Sequence, residues 1–494
     1  MNEVVDEIYE NETAEELYER IQREKERLIS EGKLKKQKKL PEISEDEIPF
    51  EIPKSWKWVF LYEIADIYTG NSISENLKKN IYSQVCEGYD YIGTKDINFD
   101  GKINYNTGLK VPFNEQKFKK AYKNSVLMCI EGGSAGKKIT FLDKEVCFVN
   151  KLCSFNIIIA NPRYIYYFFK SPIFNMFFNS KLNGLIGGVS ILKLKTIHIP
   201  LPPLSEQKRI SELIDRLFEK LDEAKEKALS ALNTFELRKA KILHLAIQGK
   251  LSKQLDEYKT AEELYEKIQI EKEKLISEGK LKKQKKLPEI SQDEIPFEIP
   301  KSWKWVRLGE IGESSIGLTY KPSDISNSDG IVVLRSNNIK QEKLDYSDLI
   351  KVNCYIPDTK MCKLGDILIC ARNGSKKMVG KVALIDKEGM SFGAFMSIYR
   401  SKCNKYIFYL MQSSYYKNIM LKNTNTTTIN QIRQDDLKNY IIPLPPLEEQ
   451  EQIVRLLDDI FEKEEKAKKL IESTLNKIEL IKKSILARAV RGEL

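Results

Sequence analysis

Two short loops carry the side chains with the most evident chemistry. Residues 371–377 read "ARNGSKK", and residues 130–138 read "IEGGSAGKK". Arg372 offers a guanidinium fork that can pair with both acceptor atoms of a guanine. Asn373 offers an amide that can do the same for an adenine, and Lys376 and Lys377 are cations suited to phosphate. Glu131 stands where the arginine stands in the other loop, and it can accept from the amino group of a cytosine. These loops and their neighbours gather more of the same polar and cationic types. They supply Lys95, Ser134, Lys137, Lys138 and Ser190 in the first half, and Arg335, Ser375, Thr427 and Asn430 in the second. The plain alternative for each residue is a solvated turn between two strands.

Catalytic templates do not fit. "GGSAGKK" resembles a phosphate-binding loop, but the glycine that should open it falls on Glu131, and no Ser or Thr follows the lysine. "NPR" at residues 161–163 is not the Asn-Pro-Pro-aromatic motif with which amino-methyltransferases hold a flipped base. There is no G-x-S-x-G, no H-E-x-x-H and no glycine-rich loop suited to S-adenosylmethionine. Two histidines, His198 and His244, give a zinc site or an acid–base pair little to build from. The eight cysteines form no C-x-x-C pair and read as reduced, mostly buried small hydrophobes. A chain with no active site of its own is the expectation.

The elements that must hold these loops announce themselves by repetition. A block beginning "TAEELYERIQREKERLISEGKLKKQKKLPEI" at Thr13 and running through "IPKSWKWV" returns from Thr260. The two copies differ at only four places: Arg20/Lys267, Arg23/Ile270, Arg27/Lys274 and Glu45/Gln292. Thr13 with Glu16, and Thr260 with Glu263, fit a capping box that opens a helix ending at Gly32 or Gly279. Trp56, Trp58, Trp303 and Trp305 read as anchors that pack the following linker onto a globular domain. A second block, "IPLPPLSEQ" from Ile199 and "IPLPPLEEQ" from Ile442, ends an apolar run at a proline pair. It then places acids on the first turn of a long helix.

Both long helices show an apolar seam with steps of four and three. In the first it runs through Ile210, Ile214, Leu217, Leu221, Ala224, Ala228, Ala231, Phe235 and Ile242. In the second it runs through Ile453, Leu457, Ile460, Ala467, Ile471, Ile478, Ile481 and Ile485. The segments between the repeats differ in sequence but share short β-branched runs broken by glycine-rich turns. The expected fold class is α+β. Two α/β-type domains are separated by a long antiparallel two-helix coiled coil, in an internal pseudo-twofold repeat. The expected boundaries are 1–45 for the first helical block, 46–203 for the first domain and 204–292 for the central helical region. The second domain then takes 293–446 and the last helix 447–494.

Composition agrees with a DNA partner without requiring one. Lys and Arg outnumber Asp and Glu, 81 against 71, for a net charge of +10 over 494 residues. No apolar run is long enough for a membrane span, and the acidic amino terminus is unlike a signal peptide, so a cytoplasmic protein is expected.

Two variable domains alternating with "ELYEKIQIEKEKLISEGKLKKQKKLPEI", "IPLPPLSEQ", "IPLPPLEEQ" and "TTTINQIRQDDLKNYIIPLPP" form a layout that resembles the specificity subunit of type I restriction–modification systems. The resemblance implies a non-catalytic subunit whose two target-recognition domains each read one half of a bipartite, asymmetric site in double-stranded DNA. It implies helices that set the spacing and dock two methyltransferase subunits, with two motor-nuclease subunits joining for restriction. S-adenosylmethionine, ATP and Mg would sit on those partners, with no cofactor on this chain. The first domain departs from the second in having "GGVSILKLK" in place of "TTTINQIRQ" and in lacking the "ARNG" loop. Other readings are a coiled-coil scaffold with protein-binding variable domains, or the specificity subunit of a methylation-only defence complex.

Overall fold

The computed structural model describes residues 12–38, 40–182, 187–252, 260–283, 285–422 and 430–494. The chain forms two compact units, Met1–Ala228 with Glu472–Leu494, and Leu229–Ile471. Each contains one copy of the repeated helical block, one variable segment and stretches of both long helices.

Unit 1 opens with helix α1 (Ala14–Ser30). Thr13 Oγ1 accepts from the Glu16 N–H at 3.3 Å, while the Glu16 carboxylate accepts from the Thr13 N–H at 2.8 Å. The helix buries Ala14, Leu17, Ile21 and Lys25 on one face. Burial of Leu17 and Ile21 contributes roughly 1.5–3 kcal/mol each. The chain reverses at Gly32, which holds a φ of 71°. Next comes β1 (Lys57–Phe60), then β2 (Ala65–Thr69), β3 (Tyr89–Ile92), β4 (Lys110–Val111), β5 (Lys120–Ala121), β6 (Val126–Cys129), β7 (Ile139–Phe141), β8 (Val146–Phe148) and β9 (Leu152–Ile157). Helices α2 (Pro162–Lys170) and α3 (Pro172–Ser180) and the short α4 (Ile191–Lys195) precede β10 (His198–Leu201). The long helix α5 (Leu204–Ile247) follows.

Two four-stranded sheets result, in the orders β2-β9-β6-β7 and β4-β3-β8-β5, with β1 and β10 paired apart. Unit 2 repeats the plan. Helix α6 (Ala261–Ser277) leads to β11 (Lys304–Arg307), β12 (Gly312–Ile316), β13 (Ile325–Ser326), β14 (Ile331–Leu334), β15 (Ile339–Lys340), β16 (Lys343–Leu344) and β17 (Ile350–Val352). After them come β18 (Ile367–Cys370), β19 (Arg372–Asn373), β20 (Val382–Leu384), β21 (Ser391–Phe392) and β22 (Met396–Ser401). Helices α7 (Asn404–Gln412) and α8 (Ser414–Lys422), β23 (Asn430–Gln431), α9 (Gln434–Asn439) and β24 (Ile441–Leu444) lead to the second long helix, α10 (Leu447–Arg491). Its sheets are β12-β22-β18-β20 and β13-β17-β14-β21, with β11 and β24 paired apart.

The α/β-type expectation for the variable segments needs correction. Among the described strands every pairing is antiparallel except β3 with β8 and β14 with β21. Intervening strands, not a crossover helix, connect both parallel pairs, so strand–helix–strand units do not build these sheets.

The repeated tryptophans close each unit. Trp56 Nε1 donates to Glu206 at 2.9 Å in unit 1, and Trp303 Nε1 donates to Glu449 at 2.8 Å in unit 2. Trp58 and Trp305 pack edge-on against Phe50 and Phe297 of the linker, with ring centroids 5.2 and 5.1 Å apart. Glycines ending the long helices complete the arrangement. A Cβ on Gly492 would lie 2.5 Å from Pro53, and one on Gly249 would lie 2.4 Å from Pro300. Both glycines hold positive φ, so only glycine meets the two demands together.

Within unit 1, Asp222 pairs with Lys482 at 2.5 Å and Lys225 with Glu479 at 2.7 Å, so the two helical stretches run in opposite senses. Within unit 2, Arg238 pairs with Glu464 at 2.9 Å. Ile210, Ile214, Phe235, Ile453, Leu457 and Ile478 are buried. Leu217, Leu221, Ala228, Ala231, Ile242, Ile460, Ile471 and Ile485 are half-buried.

Three seam residues are corrected: Ile481 is 46% exposed, and Ala224 and Ala467 also face solvent. A helix of 3.6 residues per turn drifts off a strict four–three alternation. Near the end of α10 the inward line steps from Ile478 to Lys482 to Leu486, and the Lys482 ammonium sits 4.9 Å over the Phe218 ring. Lys225 and Lys468 likewise turn further inward than Ala224 and Ala467.

Lys25 is an exception among the apolar residues of α1. Its ammonium donates to the Tyr62 carbonyl at 2.6 Å, and burial pushes its pKa down to about 8, against the pull of Glu63 and Asp66. The copy in unit 2, Lys272, donates to Gly309 O at 2.8 Å and is also lowered by burial. Below about pH 8 Lys25 is charged in both the folded and unfolded chain, and folding bears the full cost of burying it. Between about 8 and the ordinary lysine value of 10.5 only the unfolded chain keeps the proton, so stability rises with pH in that window. Urea unfolding of the full chain at pH 7.5 and 9.5 is expected to show a more positive change in stability with pH in the wild type than in Lys25→Met. An equal pH response in both proteins would exclude Lys25 as its source.

Candidate nucleic-acid interface

The two candidate loops leave the sheets at the same place. In unit 1, β6 lies between β9 and β7 and runs directly into Ile130 and Glu131; in unit 2, β18 lies between β22 and β20 and runs into Ala371 and Arg372. The exit is fixed on both sides by backbone hydrogen bonds. The Ile130 N–H donates to Lys151 O at 3.0 Å, and Ile130 O accepts from the Val189 N–H at 3.0 Å. In unit 2 the Ala371 N–H donates to Phe395 O at 3.0 Å, and Ala371 O accepts from the Ile432 N–H at 2.8 Å. Beyond that point Glu131 bridges to Gly188, and Arg372 and Asn373 pair with Gln431 and Asn430. Glu131 and Arg372 are thus structural equivalents, as are Lys151 and Phe395, and Gly188 and Gln431.

A short turn lies against each loop. In unit 1 the Lys138 ammonium donates to Thr94 O at 2.8 Å and lies 5.3 Å over the Phe99 ring, which places exposed Lys95 beside the loop. In unit 2 Asn373 Nδ2 donates to Ser336 Oγ at 3.0 Å, which places Arg335 there. Arg335 pairs with Asp348 at 3.1 Å, and its buried Nε has no partner among the described residues. In each unit the structure gathers nearly all of the expected residues into one site: Lys95, Glu131, Ser134, Lys137, Lys138 and Ser190 in the first, and Arg335, Arg372, Asn373, Ser375, Lys376, Lys377 and Asn430 in the second. Thr427 lies outside the described residues.

The roles within each site divide. Glu131, Lys137, Lys376 and Lys377 are exposed. Several polar groups also take part in shaping the loops. Ser190 Oγ accepts from the Lys193 N–H at 3.4 Å as the cap of α4. Asn373, expected to read an adenine, is engaged at both ends: its Oδ1 accepts from the Ser375 N–H at 2.9 Å while its Nδ2 holds Ser336. Ser134 O accepts from the Lys137 and Lys138 N–H groups at 3.1 and 3.3 Å, and Asn430 Nδ2 donates to Gly374 O at 3.3 Å. Lys137 reaches back to Gly133 O at 3.2 Å.

Residues outside the expected set also join the sites. Phe395, Phe99, Lys151 and Gln431 all lie at the loops, and Phe99 and Phe395 are 64% and 58% exposed. An apolar residue within "SFGAFMSIYR" reads as core, and only the three-dimensional pairing reveals that Phe395 faces out.

Other groups that could do chemistry are used for structure. "NPR" caps α2, with Asn161 Oδ1 accepting from the Arg163 N–H at 2.8 Å. His198 is buried between Phe60 and Phe177, with ring centroids 4.9 and 6.0 Å away, and burial lowers its pKa. All eight cysteines are free thiols. Among the described residues no group of three or more His, Cys, Asp or Glu could hold a metal ion, and no helix is long and apolar enough to cross a membrane.

Paired, similarly built units that carry cationic and polar loops at matching places have the side-chain types that nucleic-acid recognition uses. Residues 53–233 and 300–477 both match the family described as the type I restriction modification DNA specificity domain, and the chain belongs to that family. The specificity subunit of type I restriction enzyme EcoAI from Escherichia coli is 29% identical, with 94% of this chain and 87% of that protein covered. The EcoEI specificity subunit from the same species is 27% identical over the same shares, 94% and 87%. A solved chain from work on assembly and conformational transition of the type I R-M system superposes with a TM-score of 0.65 at 21% identity, covering 90% of this chain and 100% of that one. The HsdS subunit from Thermoanaerobacter tengcongensis gives 0.56 at 20% identity, covering 90% and 99%. These two structures support the fold.

The division of roles within a loop is testable on DNA. Arg372→Ala is expected to relax preference at one base position by a factor that corresponds to about 1–3 kcal/mol, with other positions unchanged. Lys377→Ala should weaken binding on every sequence alike and flatten the slope of log K against log salt by about 0.9. Binding titrations over a salt series on matched and single-mismatch duplexes check both. Identical, sequence-independent losses for the two variants would remove Arg372 from base readout.

Proposed function

We propose that this chain is the DNA-reading subunit of a type I restriction–modification complex, with each unit recognising one half of a split, asymmetric site. The observation that carries the reading is the pair of equivalent loop exits. The same backbone hydrogen bonds hold Arg372, Phe395 and Gln431 in unit 2, and Glu131, Lys151 and Gly188 in unit 1. One scaffold presenting different side chains at matching positions is what two readers of unlike half-sites require.

The long helices act as an antiparallel coiled-coil spacer between the half-sites and, with the repeated helical blocks, as the docking surface for two methyltransferase subunits. Two motor-nuclease subunits complete the restriction assembly. The chain itself is non-catalytic and cytoplasmic. S-adenosylmethionine, ATP and Mg belong to the partner subunits, and methylation and cleavage take place there. This chain contributes placement, because its loops fix which bases lie opposite the partners' reactive centres.

Selection of bound duplexes from a random pool is expected to return two short conserved blocks separated by a spacer of fixed length. The spacer's dependence on the helices is the more demanding check. Matched deletion of seven residues from α5 and α10 shortens the helices by about 10 Å at 1.5 Å per residue, or about 3 base pairs of duplex. The selected spacer should shorten accordingly or binding should be lost. An unchanged spacer at full affinity would show that the helices do not set it.

A further inference from the structure

Arg372 is half-buried at the loop exit, and its guanidinium lies 5.3 Å over the ring of Phe395. The backbone fixes the two residues together, since the Ala371 and Arg372 N–H groups donate to Phe395 O at 3.0 and 2.9 Å. Phe395 is 58% exposed, whereas Met396 beside it is 1% exposed. A phenylalanine held in solvent next to a core position is not placed there by burial. Among the described residues, no carboxylate, amide or carbonyl takes a guanidinium N–H of Arg372.

These facts fit together chemically. A guanidinium held over a ring face keeps its edge donors free for another partner. That edge is the part that matches O6 and N7 of guanine in the major groove. A side chain already held by a ring also has less freedom to lose on binding. In unit 1 the same backbone bond runs from the Ile130 N–H to Lys151 O at 3.0 Å, but the side chains at the two positions are Lys151 and Glu131. Neither an aromatic face nor a guanidinium is present at that pair.

We propose that Phe395 positions Arg372 to read one guanine in the half-site bound by unit 2, and that the absence of this stack from unit 1 makes the two half-sites chemically unlike at the equivalent position. The inference rests on the DNA-reading function above and adds the residue and the base class to it. Phe395 is a positioning residue; Arg372 makes the contact.

The test is duplex selection and competition with the full-length chain, in which Arg372→Ala first locates the affected base position. The wild type is expected to select guanine there. Phe395→Ala should reduce that preference by about two- to thirtyfold, leaving the other half-site and the salt slope unchanged, and Phe395→Tyr should restore it. Intact reading of the other half-site in the same sample reports that the variant is folded. The reciprocal change is Glu131→Arg with Lys151→Phe in unit 1. It should create a guanine preference in the other half-site, larger than Glu131→Arg alone creates.

An unchanged preference in Phe395→Ala would overturn the positioning role, as would an equal loss on all duplexes or an equal gain from Glu131→Arg alone. Those results would leave sequence-specific DNA reading standing. A wild-type chain with no base preference at any position would bring down both.

Discussion

Each unit depends on the antiparallel pairing of its opening strand with its closing one. Lys57 to Phe60 align with Leu201 to His198, and Lys304 to Arg307 align with Leu444 to Ile441. The segments between these strands are long, and the pairing brings their ends to one place. There the prolines after β10 and β24 stop the strand and start the helix, and Trp56 and Trp303 reach the first turn of the helix through Glu206 and Glu449. Glu449 is 1% exposed and accepts from the Trp303 indole, so removing Glu449 would leave the indole N–H without that acceptor. This clamp explains why the repeated residues sit at the edges of the variable segments. Sequence may change between the strands as long as both ends return to the same register.

The repeated blocks made much of this legible. Two nearly identical copies of "IPKSWKWV" and "IPLPP" signal two similar closures, and the structure pairs each copy with its neighbour in the same unit. The capping threonines and the stop glycines were readable because their cause is local: one side chain, one backbone group, one positive φ. The long helices were less so. Period alone selected Ile481 over Lys482, because apolarity is the signal and a lysine stem lying over Phe218 with its ammonium on Asp222 has the wrong letter for a buried place.

The candidate loops divide along the same line. Glu131 and Arg372 could be matched from sequence because each follows an apolar strand of similar pattern, "VLMCIE" and "ILICAR". That Asn373 is spent on Ser375 and Ser336 could not, because the Ser336 turn lies far back in the chain. Nor could the exposure of Phe395, which follows from two backbone bonds donated by Ala371 and Arg372. Residue type identifies which side chains are able to touch DNA; only tertiary placement separates those that are free to do so from those that shape the loop.

That separation has a consequence for how such a protein changes what it reads. Ile130 and Ala371 spend their N–H and C=O groups identically, so the loop exit is held by main chain that any residue type supplies. The side chains at 131 and 151, and at 372, 395 and 431, project from that frame without holding it, and position 188 is a glycine with none. None of the six is buried, so exchange at these positions leaves no cavity and orphans no core polar group. Specificity is thus free to vary at little cost in stability, while the closing strands, the tryptophan–glutamate bonds and the Gly249 and Gly492 contacts carry the constraints. A scaffold that fixes the loops through backbone, and leaves their side chains unconstrained, suits the proposed reading of two unlike half-sites.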